Sequence, residues 1–407
     1  MSVVYLVHRL IDGTGSKAKD RAALWVEGGR VKEVILPGEG VPEGVAVVDL
    51  GDRTIVPGLI DMHVHVDYWY GQPNIMEYME GEGLAALLAA RNVRSSLEKG
   101  VTTVRDLSSG TGLKLRRAIE LGYIPGSRIF TSAKGICMTG GHGYECSDSV
   151  VQADGAEAIR KAVREQVRAG ADLIKILTSH RSETPEYRQE ELDAGVDEAH
   201  RLGFRVACHA AIMPAAKMAI MAGVDTIEHG THLTNECREL MAERGTFLIP
   251  TMIAYHSGGV AARKAKANPG AVDPFKRSLV MRYADWWIAT DDMLESQFRK
   301  AAAAGIKIAV GTDMVMADMD FCPMHTEMEM MVRFGYGEMN TICAATRVAA
   351  EALGKDDILG TLEPGKLADF VVIDGDPLQD ITALRNVHTV VKEGRVEVPV
   401  PVPYFSW

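Results

Sequence analysis

The sequence predicts an α/β protein: a (β/α)8 barrel of the TIM type joined to a small β-sandwich domain formed by both termini. Three observations predict it. Eight β-rich runs alternate with helical patterns between residues 59 and 353. Both ends of the chain instead read as short strands and turns. At 407 residues the chain is long enough for a large barrel and a smaller appended unit. The expected division is residues 58–353 for the barrel and residues 1–57 plus 354–407 for the β domain.

The β-runs cover residues 59–65, 102–106, 128–132, 173–177, 205–209, 226–229, 247–250 and 306–311. Helical periodicity occupies residues 84–99, 156–168, 190–202 and 235–244 between them. Gly100, Gly170, Gly203, Gly223, Gly245 and Gly305 precede β-runs, where glycine supplies the left-handed residue that ends a helix. The flanking strands are expected at residues 3–7, 23–27, 30–35 and 45–49, and again at 368–374, 387–392 and 395–398. Asp374-Gly375-Asp376-Pro377 is a turn cluster, and the Pro-rich tail PVPVPYFSW cannot continue a ladder.

Composition narrows the function classes. Acidic residues outnumber basic ones, 55 to 44, and the net charge is −11. That balance, with no basic run, excludes nucleic acid and anionic membranes as main partners. No stretch reaches the ~18 apolar residues of a membrane span. The apolar stretch at the N-terminus is too short for a signal peptide, so a cytoplasmic location is expected. Six scattered cysteines without a CxxC pair read as buried reduced thiols.

The chemistry begins at Asp61-Met62-His63-Val64-His65. On a strand, residues i and i+2 share a face, so both imidazoles point the same way and can chelate one divalent metal. His209 ends the fifth run and His229 the sixth, and Asp313 follows the eighth. All lie at C-terminal strand ends, where such barrels carry their active sites. Lys175 sits within the fourth run among β-branched neighbours, where a charged amine is costly to bury. It is either a salt-bridge partner or a chemically modified ligand.

HxH, then Lys, His, His and Asp at the ends of strands 1, 4, 5, 6 and 8 resembles the binuclear metal-dependent amidohydrolases. The resemblance includes Ile55-Val56-Pro57-Gly58-Leu59-Ile60-Asp61 and residues 360–370, GTLEPGKLADF. More narrowly, MTGGHG at 138–143 and PTMIAY at 250–255 are similar to the Xaa-Pro dipeptidase branch, which is related to imidazolonepropionase. The resemblance implies two divalent ions, zinc first, with cobalt, manganese or nickel suited by the same donors. One would take His63, His65 and Asp313, the other His209 and His229. Lys175, carboxylated by CO2, and a nucleophilic hydroxide would bridge them. Asp313 would act as general base and then acid. His142 in its Gly-rich loop and Tyr255 would contact substrate.

The implied reaction is hydrolysis of an amide-type C–N bond in a small molecule: a dipeptide or N-acyl amino acid, C-terminal proline included, or a carbamate or urea. A mononuclear deaminase or a cyclic amidase like imidazolonepropionase is the alternative within the fold. Deaminases commonly carry a Glu three residues after the strand-5 His, and here Ala210, Ile212 and Met213 follow His209. A non-enzymatic scaffold would be expected to lose ligands, and all six positions are present. A homo-oligomer stays open.

The loop of residues 178–185, TSHRSETP, and His256 depart from the branch's pattern and leave the substrate open. The roles of His180, Arg181, His256 and His325 are unassigned; for His325 a structural place is expected. Tyr68, Trp69 and Tyr70 follow the HxH strand and read as packing. In the methionine-rich stretch 314–331, the methionines read as loop and helix core. Asp318, Asp320, Glu327 and Glu329 read as a solvated face.

Overall fold

The structure, a computed structural model, describes residues 2–67, 82–144, 148–179, 184–271, 280–313 and 321–398. Tyr68, Trp69, Tyr70, Cys146, His180, Arg181, Met314, Met316, Met319, Asp318, Asp320 and the Pro-rich tail lie outside the described residues.

Strands from both ends of the chain form one sheet. Its members are β1 (Ser2–Leu10), β2 (Lys19–Glu27), β3 (Arg30–Ile35), β4 (Ala46–Asp49), β5 (Arg53–Pro57), β15 (Phe370–Asp374), β16 (Val387–Lys392) and β17 (Arg395–Val398). The order is β17-β16-β15-β5-β1-β2-β3, with β4 paired to β1. Phe370 pairs with Pro57 where β5 hands the chain to the barrel. Tyr5, Leu24, Ile55, Phe370 and Val391 are part of the apolar core on this sheet.

The barrel strands are β6 (Leu59–Val64), β7 (Val101–Asp106), β8 (Arg128–Thr131), β9 (Gly135–Cys137), β10 (Val150–Gln152), β11 (Ile174–Leu177), β12 (Val206–His209), β13 (Thr226–Glu228) and β14 (Phe247–Ile249). All pairs among them are parallel. Helices α1 (Glu82–Glu98), α2 (Gly112–Glu120), α3 (Ala156–Ala169), α4 (Gln189–Arg201), α5 (Ala215–Ala222) and α6 (Asn235–Arg244) alternate with them. Then come α7 (Met252–Ala267), α8 (Ala284–Ala303), α9 (Met324–Arg333), α10 (Glu338–Ala344) and α11 (Arg347–Leu353). In α3, Ile159, Ala162, Val163 and Gln166 are buried, the spacing of one helical face against a sheet. Gly170, Gly223 and Gly245 end α3, α5 and α6 in left-handed conformations.

Two strands differ from the sequence reading. The third run is broken: β8 pairs with β7, while β9 pairs with β11. Between them Ala133 has φ +54°, a turn that re-aims the strand. The eighth run makes only a single bridge, Ile308 to Leu248. Ala309 N still donates to Leu248 O (3.0 Å) and Met62 N to Val310 O (2.9 Å), which closes the ring from β14 to β6.

Glu327, expected on a solvated face, is fully buried in α9; its carboxylate accepts from Met252 N (2.9 Å) and Ile253 N (2.7 Å) and so caps α7. Met324, Met328, Met330 and Met331 pack in the core as read. The five described cysteines are free and buried. Among the described residues, no helix is long and apolar enough to cross a membrane.

Candidate metal centre

His63 and His65 occupy the end of β6 and the residue after it. Asp313 follows the eighth run, with its N–H donating to His63 O at 2.7 Å. One donor atom each from His63, His65 and Asp313 lies within 4.8 Å of the others. His63 Nε2 is 3.5 Å and His65 Nε2 3.1 Å from the same oxygen, Asp313 Oδ1. His229 Nδ1 stands 3.8 Å from Asp313 Oδ2. The His229 ring is 5.0 Å from that of His63 and 4.5 Å from that of His209.

The outer partners define tautomers. His63 Nδ1 is 2.8 Å from Glu228 Oε2, and an ionised carboxylate can only accept, so that nitrogen carries the proton. Its Nε2 lone pair then faces the Asp313 oxygen. His65 Nδ1 is turned to the carbonyl of Ser108 at 3.3 Å, which again leaves Nε2 towards Asp313. His65 Nε2 shares a hydrogen bond with Asp313 Oδ1, and against burial that carboxylate raises the His65 pKa; a cation could take the place of the shared proton among these three donors. His229 Nδ1 meets Thr251 Oγ1 at 2.7 Å.

Lys175 projects from β11 and is 1% exposed, and its Nζ has no hydrogen-bond partner among the described residues. Burial pulls its pKa down against the attraction of Glu228 and Asp313. Burial, then the Lys175 charge, lowers His63 to about 4, so its imidazole is neutral and able to ligate at pH 7. Burial also pulls His209 and His229 well below their ordinary range. Asp313 is half-buried, and against the cost of that burial His63, His65 and His229 hold its carboxyl far below the usual carboxylate range. A buried amine with no hydrogen-bond partner among the described residues, within electrostatic reach of the neutral imidazoles of His63, His209 and His229 and of an ionised carboxylate, fits a site built for cations.

Strain collects at this end of the barrel. Ser108, His229, Thr251 and Asp313, none of them glycine, take φ between +45° and +81°. All four lie at or just beyond strand ends, and the left-handed conformation costs of order 1–3 kcal/mol per residue.

Of the remaining predicted residues, His142 stacks on His209 with ring centroids 4.1 Å apart. Its N–H donates to both oxygens of Glu186 at 3.0 Å, which ties the Gly-rich loop down. Tyr255 lies 5.3 Å from His229 and packs against Trp286 and Trp287. His256 turns away, to Asp291 Oδ1 at 2.8 Å. His325 is buried in α9, where burial lowers it to about 4. A cleft beside His142 is lined by Met138, Gly141, Tyr144, Pro185 and Glu186.

Sequence reasoning passed over Asp61, Arg105, Glu228 and Thr251. Asp61 ties β6 to the eighth run by accepting from Thr312 N (3.0 Å) and Thr312 Oγ1 (2.7 Å). Glu228 directly precedes His229, and strand alternation with Thr226 was the signal that could have found it.

Residues 54–396 match the amidohydrolase family. Ochratoxinase of Aspergillus niger is 29% identical over 371 residues, 83% of this chain and 73% of that protein. The crystal structure of a Xaa-Pro dipeptidase with bound methionine superposes with TM-score 0.87 at 32% identity, covering 97% of this chain and 99% of that one. A prolidase complexed with N-methylphosphonate-L-proline gives TM-score 0.85 at 28% identity, with the same coverage.

Proposed function

Since the chain belongs to the amidohydrolase family, enzymes acting on C–N bonds, we propose that it hydrolyses the amide bond of a dipeptide or N-acyl amino acid, C-terminal proline among the candidates. In this reading His63, His65 and Asp313 hold one divalent cation and His209 and His229 a second, zinc in both places. Lys175, carboxylated by CO2, would add an anionic donor to the set. The observation that carries the reading is the Lys175 amine, buried with no hydrogen-bond partner among the described residues and within electrostatic reach of the histidines and Asp313. Carboxylation converts that amine into an anion, which removes the buried ammonium and supplies charge that two cations need.

The bound cations would supply Lewis acidity towards the substrate carbonyl and a lowered pKa for water. Asp313, ionised and facing His63, His65 and His229, would take the proton of that water and return it to the leaving nitrogen. His142 and Tyr255 flank the histidine cluster and orient the scissile group. Thr251 fixes the ring of His229.

A second reading, a neutral amide, carbamate or urea as substrate, is favoured by Glu186, whose carboxylate in the cleft beside His142 opposes a substrate carboxylate. One panel separates the two. Zinc-loaded protein is offered dipeptides and N-acyl amino acids beside neutral amides, carbamates and ureas. Cleavage confined to carboxylate-bearing substrates supports the first reading, and cleavage confined to neutral ones supports the second. No hydrolysis at all with two zinc ions bound refutes both. His142→Ala should lower kcat/KM by about 100-fold, with metal content unchanged.

A further inference from the structure

Beneath the histidine cluster lies a charged pair that no step of the proposed reaction uses. Arg105, on β7, is 1% exposed, and Glu228, on β13, is fully buried. Burying two charges costs several kcal/mol per ion before attraction is counted, and apolar replacement is often as stable. Stability alone is therefore a weak account of this pair.

Its contacts point elsewhere. Arg105 Nε donates to Met62 O at 2.6 Å, Nη1 to Thr226 Oγ1 at 3.1 Å and Nη2 to Glu228 Oε1 at 2.7 Å. The second oxygen of Glu228 receives His63 Nδ1–H at 2.8 Å. Thr226 Oγ1 also donates to Glu228 Oε1. The pair thus grips the Met62–His63 segment twice, once through the backbone carbonyl and once through the ring. With Oε1 taken by Arg105 and Thr226, Glu228 turns its other oxygen, Oε2, to His63.

We propose that Arg105 and Glu228 are positioning residues for the metal centre: they lock His63 in the Nδ1–H tautomer, so that Nε2 is presented to a cation shared with His65 and Asp313. The inference rests on His63 being a ligand, as read above. Partners in this position typically affect metal affinity by about 10–100-fold.

The test is zinc affinity, measured by competition with a chromophoric chelator, with thermal unfolding as the fold control. Glu228→Met alone would strand the buried Arg105 charge, so both residues are changed together. Arg105→Met/Glu228→Met should fold but bind the tighter zinc about 10–100-fold more weakly. Arg105→Met/Glu228→Gln returns a neutral acceptor and should recover affinity to within a few-fold of wild type. A first double variant that binds zinc like wild type overturns the proposal, as does a second that recovers nothing. Wild-type protein that binds no zinc sinks the ligand reading, and the inference with it; the two failures are thereby distinguished. If the first double variant does not fold, the tautomer decides. In a long-range 1H–15N spectrum of histidine-labelled wild-type protein, His63 is assigned by its loss in His63→Asn. A proton on Nδ1 supports the proposal and a proton on Nε2 refutes it.

Discussion

Replacing Lys175 by methionine should raise the stability of the metal-free protein and lower its capacity for metal. The two effects have opposite signs because the residue serves the site at the expense of the fold. Methionine has similar length and fills an apolar slot without a polar atom. The Lys175 Nζ is buried and makes no hydrogen bond among the described residues, and leaving such a group unsatisfied costs about 1–3 kcal/mol. Asp313 and Glu228 return part of that cost by attraction, while Arg105 opposes it; burial prevails, since the pKa falls below its ordinary 10.5. The metal-free Lys175→Met variant should therefore be about 1–3 kcal/mol more stable at pH 7. The folded state binds this proton less tightly than the unfolded chain does. Wild-type stability thus gains with rising pH between the depressed folded value and 10.5, whereas the variant lacks that gain. Urea unfolding of chelator-treated protein at pH 7 and pH 9 measures both points. Metal analysis of the reconstituted variant should give fewer than two zinc ions per chain. A variant that is less stable than wild type when metal-free, yet still binds two zinc ions, would refute the reasoning: Lys175 would then be a structural residue with a partner.

Three further outcomes are expected. Chelation should lower the Tm and zinc should restore it, because a ligand held at 100 times its Kd contributes about 2.7 kcal/mol; a Tm indifferent to chelator in protein shown to have carried metal argues against a site coupled to folding. Burial pushes Glu327 from its ordinary 4.5 up to about 8 against two backbone N–H donors, so the folded state keeps a proton that the unfolded chain releases. Its contribution to stability should fall by up to about 1.4 kcal/mol per pH unit as pH rises from 4.5 to 8, and Glu327→Gln should flatten that slope in urea titrations. Gly58→Ala would set a Cβ 2.2 Å from Thr102 Oγ1, between β6 and β7, and should cost about 1–3 kcal/mol in the same assay.

The barrel and the cluster of candidate donors were legible because their signals are local. Strand period and helix period differ, and a donor at a strand end announces itself beside an apolar run. His63, His65, His209, His229, Lys175 and Asp313 each stand in such a place, and the structure gathers them at one end of the barrel. Where local signals were weak, the reading failed. Glu327 looked like part of a charged surface, yet the fold turns it under α7, where two orphan N–H groups hold it. His256, left without a role by the sequence, follows the proposed substrate tyrosine but faces α8, since neighbouring helix residues point to different sides.

The order of strands, the ends of helices and the candidate donors were written in the chain, because each depends on a few neighbouring residues. Which groups stand behind the donors was not. Arg105 meets Glu228 across 123 residues, His63 meets Glu228 across 165, and Asp61 meets Thr312 across 251. Such contacts arise only when parallel strands close into a ring and bring buried polar atoms within reach of one another. Each atom must then find a partner or remain, like the Lys175 amine, in want of one.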